Sequence, residues 1–144
     1  MRIHEVMGAK IAHRDVVSIS PEASVAELID LLNEHNIGAV VVSADGESIA
    51  GIVSERDVVR KIKVIDSSLS SPVSEIMTTE VHTCSSDDVL NEIRQLMTQE
   101  RVRHVPVVDE GHLIGVVSIG DVVKSHISQV EYERDQLDSY VHQT

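Results

Sequence analysis

Gly51-Ile52-Val53-Ser54-Glu55-Arg56-Asp57-Val58-Val59-Arg60 returns 64 residues later as Gly115-Val116-Val117-Ser118-Ile119-Gly120-Asp121-Val122-Val123-Lys124, with six of ten positions identical. The retained residues include a polar pair, Ser and Asp three apart, as well as the apolar pattern around it. The chain therefore repeats a chemical feature along with a packing pattern.

The repeat extends outward from this phrase. Ile3-His4-Glu5-Val6-Met7 returns as Val73-Ser74-Glu75-Ile76-Met77, and Ile37-Gly38-Ala39-Val40-Val41-Val42 returns as Val102-Arg103-His104-Val105-Pro106-Val107. The offsets of 70, 65 and 64 place about five extra first-copy residues around Ala9 to His13 and one more near Ala44, positions read as loops. Two copies with so long a period indicate a duplicated domain closing on itself. A solenoid uses more and shorter units.

Each copy reads as strand, helix, strand, strand, helix. Val25, Leu28, Ile29 and Leu32 form one apolar helix face, and Ser24 with Glu27 forms a capping box at its start. Gly38 punctuates the end of that helix. Ala39 to Ser43 and Ile49 to Val53 are short apolar runs around Asp45-Gly46, a hairpin signal. The second copy follows with Ile93, Leu96 and Met97, then Val105 to Val108, a turn at Asp109-Glu110-Gly111, and Leu113 to Val117. Pro106 inside a strand predicts an edge or a strand end.

Asp66 to Pro72 is polar and ends in proline, which marks a linker. The chain divides into a first motif at 1–65, a linker at 66–72, a second motif at 73–126 and a C-terminal helix at 127–144. After Asp121, Val123, Ile127, Val130, Leu137 and Val141 recur near heptad spacing among charges. A helix this long points to packing on a partner subunit; packing on its own domain is the alternative.

With 144 residues the chain can bury roughly two-thirds of its unfolded surface. Its 42% hydrophobic and 25% charged residues are those of a globular protein. No stretch approaches the roughly 20 apolar residues of a membrane span, and a cytoplasmic location is expected. A net charge of −12 repels a phosphate backbone and argues against nucleic-acid binding. The single cysteine, Cys84, has no internal disulfide partner and reads as a small core residue in a strand. Trp and Phe are absent, so a planar ligand would be held by aliphatic side chains and backbone amides.

These motifs, twice in the same order, resemble a tandem pair of CBS domains, the cystathionine-β-synthase motif whose pairs form Bateman modules, over residues 1 to 126. The resemblance rests on the Ser-x-x-Asp phrases, on Arg103-His104-Val105-Pro106-Val107-Val108 and on the Val-x-x-Ile-Met lead-in. It is nearest to small stand-alone pairs with Ser-Glu-Arg-Asp in the first copy and Ser-Ile-Gly-Asp in the second. It implies an α/β (α+β) fold of two βαββα-type motifs packed with pseudo-two-fold symmetry, plus a C-terminal helix. It also implies adenosine ligands in clefts between the copies, and a homodimer forming a four-motif disc.

The residues themselves leave two readings open. Ser54 with Asp57, and Ser118 with Asp121, each follow a strand and precede a helix, which suits a cap worth about 0.5–2 kcal/mol. The same geometry offers helix N–H groups to a phosphate, and an acceptor-only carboxylate to two vicinal ribose hydroxyls. Adenine would lie between the strand openings at Ile37, Gly38, Ala39 and Val40 and at His104, Val105 and Pro106. Gly38 leaves room for its approach. Arg56, Arg103 and His104 are the candidate cations for phosphate. By resemblance, one cleft uses Asp57 with Val81, Thr83 and Arg103. The other uses Asp121, with Ile119 and Gly120 beside it, and Val17, Ser18, Gly38 and His104. Gly38-Ala39 in one copy against Arg103-His104 in the other makes the clefts unequal. His104 near a phosphate would make binding pH-dependent, and a hydrogen-bonded fixture is the alternative.

No metal-ligand spacing emerges from the eight histidines, and no G-x-S-x-G elbow or P-loop is present. The expectation is no catalytic residue, no metal and no catalytic cofactor. The chain reads as a regulatory module that binds an adenine nucleotide, AMP first, with ATP, ADP or NADH next, and signals to a separate effector protein. The alternatives are an interaction scaffold with vestigial clefts and, by resemblance to plant pairs, a modulator of a thioredoxin-type partner.

Overall fold

The structure is a computed structural model that describes residues 1–8, 16–61 and 69–142. The extra residues around Ala9 to His13 and the first three residues of the linker, 66–68, lie outside the described residues. The fold is mixed α/β, with two repeated units and a long C-terminal helix, as the repeat and the resemblance imply.

In the first copy, β1 (Ser18–Ile19) leads to α2 (Val25–His35), β2 (Ala39–Val42), β3 (Gly51–Ser54) and α3 (Glu55–Lys61); α1 (Ile3–Met7) precedes them. Helix α2 starts where expected, with Ser24 Oγ accepting from Glu27 N–H and Glu27 accepting from Ser24 N–H. It buries Val25, Leu28 and Leu32. Its end differs from the expectation: Asn36, not Gly38, takes the left-handed conformation at φ 52°, and Ile37 N–H returns to the Leu32 carbonyl. Asparagine tolerates that region because its short polar side chain bonds locally. Strand β2 is central, parallel to β1 and antiparallel to β3. It is buried throughout, which accounts for its unbroken Ala-Val-Val-Val.

The second copy has α4 (Leu90–Glu100), β4 (His104–Asp109) and β5 (His112–Ser118), followed by α5 (Ile119–Val141). Glu110 and Gly111 both have positive φ and close the β4–β5 hairpin in two residues. The predicted first strand is reduced to one parallel bridge, Cys84 to Val107. Pro106 supplies the reason. Its carbonyl accepts from Cys84 N–H at 3.0 Å, and a strand residue aims its N and C=O to the same side. Its nitrogen therefore faces that neighbour with no hydrogen to donate, and the ladder cannot continue toward residue 82. The edge position expected from Pro106 is observed in this form.

The lead-in segments are exchanged between copies. Ile3 and Met7 of α1 sit in the second copy's core with Leu90, Ile93, Met97, Val105, Val107 and Val117. Val73 and Ile76, in and just after a 3-10 turn at Val73–Glu75, sit in the first copy's core with Val25, Leu28, Val40 and Val53. The backbone bonds match: Ile3 N–H to Asp88 O and Leu90 N–H to Met1 O in one copy, Val73 N–H to Ala23 O and Val25 N–H to Ser71 O in the other. Ile3, Val73 and Ile76 have no exposed surface. Each stabilises the inter-copy arrangement by about 1.5–3 kcal/mol of apolar burial.

The exchange also accounts for the glycine that opens the repeated phrase. A Cβ on Gly51 would lie 2.7 Å from the Thr78 carbonyl oxygen and 2.8 Å from Met77 Sδ, and one on Gly115 would overlap the Met7 methyl. Each glycine is the seat of the opposite copy's methionine.

Helix α5 packs its first turns on α1, α4 and β5 and then projects outward. Only Val122 on it is fully buried, while Val123, Ile127, Val130, Leu137 and Val141 stand exposed.

Candidate functional site

Because the exchange locks the copies face to face, the openings of β2 and β4 meet between them. The His104 ring rests over Gly38: a Cβ there would be 3.6 Å from His104 Cε1. Beside this contact lies a cleft of about 480 Å³. The first copy contributes Val16 and Val17 ahead of β1, Asn36 and Ile37 after α2, and Gly38 and Ala39 opening β2. The second contributes His104, Ser118, the outer side of β5 at Ile114 and Val116, and the backbone of Gly115 between them. Ile114 is the extra residue of a bulge, since Gly115 pairs with Val107 and Leu113 with Val108. The walls are mainly aliphatic and the lining includes no Phe, Trp or Tyr.

Ser118 is the N-cap of α5. Its Oγ accepts from Asp121 N–H at 3.2 Å, and Asp121 Oδ2 accepts from Ser118 N–H at 3.0 Å. Ile119 N–H donates to the Arg103 carbonyl. Two of the first three helix N–H groups are thus engaged within the protein. The structural role expected of the phrase is present, and Ser118 lines the cleft while performing it.

The first-copy phrase is built alike. Asp57 Oδ2 accepts from Ser54 N–H at 2.8 Å and Ser54 Oγ at 3.0 Å, and Glu55 N–H donates to the Gly38 carbonyl. At its other carboxylate oxygen, Lys61 Nζ lies 3.4 Å from Asp57 Oδ1 and donates to the Ile76 carbonyl at 3.0 Å.

Of the residues singled out from the sequence, Val17, Ile37, Gly38, Ala39, His104 and Ser118 line one cleft, with Asp121 joined to Ser118. Ser18 is half-buried on β1, and Ile119 packs against the second core. Val40 and Val105 belong to the two cores, with 1% and 0% exposure, so only their backbones could meet a ligand. Pro106 is buried beside Cys84. Arg56, Thr83, Arg103 and Gly120 are exposed, and Val81 is half-buried ahead of the Cys84 bridge. Sequence reasoning missed Val16, Asn36 and the β5 face. The alternation along β5 held the signal: Leu113, Gly115 and Val117 are buried, leaving Ile114 and Val116 for the outer side.

Cys84 is buried, and burial first, then the Asp88 and Asp109 carboxylates, pushes its thiol up to about 12. Asp109 accepts hydrogen bonds from Ser86 and Ser85, which hold its carboxyl below the usual range. Cys84 bridges to β4 and Asp109 ends it, so both belong to the framework. Among the described residues no group of His, Cys, Asp and Glu could hold a metal ion, and no helix is long and apolar enough to cross a membrane.

Comparison with known proteins agrees with this geometry. The family model for the CBS domain matches residues 8–64 and 73–127. The chain is 40% identical over 123 residues to the CBS domain-containing protein CBSX3, mitochondrial, of Arabidopsis thaliana, covering 82% of this chain and 60% of that protein's length. It is 32% identical over 113 residues to the CBS domain-containing protein YhcV of Bacillus subtilis, covering 78% and 80%. The crystal structure of the CBS-domain containing protein ATU1752 from Agrobacterium tumefaciens superposes with a TM-score of 0.79 at 40% identity, over 88% of this chain and 99% of that one. The exchanged lead-ins, the paired caps and the shared cleft are therefore those of a chain that belongs to the CBS-domain family, as a tandem pair.

Proposed function

We propose that this CBS pair is a regulatory module that binds an adenosine ligand in the cleft between its copies and passes occupancy to a separate protein. The observation that carries this is the cleft itself. At about 480 Å³ it falls within the range of small-ligand pockets, with aliphatic walls and a few polar groups. The flat ring of adenine suits the space between Ala39, Ile114 and Val116, with backbone groups at Gly38 to read its edge. Asp121, joined to Ser118 in the wall of this cleft, is its ribose carboxylate, and His104 is its cation for phosphate; Asp57 and Arg103 are the counterparts in the second cleft that the repeat implies. AMP is the favoured ligand, with ADP, ATP and NADH as its competitors.

Structural likeness supports the ligand class. The CBS domain pair of protein MJ0100, in complex with 5′-methylthioadenosine and S-adenosyl-L-methionine, shares this fold at a TM-score of 0.77 and 20% identity. The role is regulatory rather than catalytic: a ligand touching both copies favours one relative orientation, limited by its differential affinity for the two. The exposed apolar stripe on α5 favours a second copy of this chain as the structural partner.

Thermal unfolding against AMP, ADP, ATP, NADH and S-adenosyl-L-methionine tests the proposal. A ligand at 100 times its Kd stabilises by about 2.7 kcal/mol, a rise of roughly 5–10 °C at this size. No rise with any of the five would favour an interaction scaffold instead.

A further inference from the structure

We propose that Lys61 is an internal competitor for the first-copy carboxylate, so that a ribose entering the Asp57 cleft must displace an ammonium group the protein itself supplies. The inference rests on the reading of Asp57 as a ribose carboxylate. Asp57 presents two oxygens. Oδ2 is engaged by both Ser54 groups, leaving Oδ1 as the acceptor that Ser54 does not hold. Lys61, one helical turn along α3, places Nζ 3.4 Å from Oδ1. It is anchored there by a second bond, 3.0 Å to the carbonyl of Ile76.

Ile76 lies on the exchanged lead-in of the second copy and is fully buried in the first copy's core. Lys61 therefore ties the proposed ribose carboxylate to the segment that holds the copies together, and release of Asp57 by a ribose changes the load on that tie. At the matching position the second copy has Ser125, which carries no charge.

The Asp57 side chain is 17% exposed and that of Lys61 41%, so the pair is partly screened and its competitive effect is modest. An ion pair of this kind lowers affinity for a competing neutral group by about two- to fivefold. It weakens with salt, because screening acts on the exposed ammonium.

The test uses adenosine, which has no phosphate for Lys61 to attract, and isothermal titration of the full chain. In an Asp121→Ala background, which leaves the Asp57 cleft, Lys61→Ser is expected to tighten adenosine about two- to fivefold. Added salt should tighten binding to the chain that keeps Lys61 and leave the Lys61→Ser variant flat. In an Asp57→Ala background Lys61→Ser has no carboxylate to release and should leave affinity unchanged. Lys61→Met, which keeps the aliphatic stem, should behave as Lys61→Ser. Unchanged or weaker binding on Lys61→Ser in the Asp121→Ala background would overturn the competitor role and leave the cleft assignment standing. No adenosine binding by wild type or either background would overturn the cleft assignment, and the competitor with it.

Discussion

Substituting Gly51 by alanine tests the exchange of lead-in segments. The new methyl would lie 2.7 Å from the Thr78 carbonyl oxygen and 2.8 Å from Met77 Sδ. Thr78 cannot retreat freely, because its carbonyl accepts from Ile52 N–H at 2.9 Å and its N–H donates to the Ile52 carbonyl at 2.8 Å. Relief requires either a shifted β3 edge or loss of those bonds. Overpacking alone costs about 1–3 kcal/mol, and each lost bond adds about 1 kcal/mol. Gly115→Ala meets only Met7, whose nearest atom is the end of a flexible side chain, so its cost is smaller. Urea unfolding should therefore rank Gly51→Ala as the more destabilising, by at least about 1 kcal/mol. Met7→Ala combined with Gly115→Ala should cost less than the two separately, with a coupling of about 0.5–3 kcal/mol. Equal effects at the two glycines together with additive Met7 and Gly115 effects would refute the exchange as the reason for the repeated glycine.

The remaining expectations concern charge, the thiol and assembly. The Asp109 carboxyl, held low mainly by Ser86, contributes stability above its unfolded pKa near 4 that is lost as pH falls through its folded value. Asp109→Asn should be less stable at pH 7 and lose less between pH 5 and pH 3; parallel curves of urea midpoint against pH would contradict this. The Cys84 thiol, pushed up to about 12 in the core, should react with a thiol reagent only as fast as the chain opens. Fast labelling of folded protein would count against that. Light scattering should give twice the 15.8 kDa chain mass, and Ile127→Glu with Leu137→Glu should return it to one chain by charging the α5 stripe. A monomeric wild type would remove the second copy from the proposal.

Local features were readable because neighbours in sequence create them. The Ser24–Glu27 capping box, the β4–β5 hairpin and the burial of Cys84 depend on residues a few positions apart or on simple apolarity. The repeated phrase exposed the duplication, and with it the paired caps at Ser54 and Ser118. The exchange was not readable, because Ile3, Met7, Val73 and Ile76 announce burial without saying in which core. The cap at Asn36 was missed because Gly38, two residues on, carried the stronger punctuation signal. Pro106 predicted a strand edge, but its effect on the Cys84 strand required knowing which neighbour its nitrogen faces. Lys61 lay just past the phrase in which copies were compared. Its tie to Ile76 crosses between copies, and no spacing rule reaches that far.

Comparing AMP with 2′-deoxy-AMP by isothermal titration tests the central claim most directly, that the Ser-x-x-Asp carboxylates read a ribose between the copies. Removing a hydroxyl bonded to a carboxylate costs about 1.5–3 kcal/mol, so AMP should bind about 10- to 150-fold more tightly, and Asp57→Ala and Asp121→Ala should each abolish that preference at its own cleft. Equal affinities of wild type for the two nucleotides, or a preference that survives both substitutions together, would contradict the account.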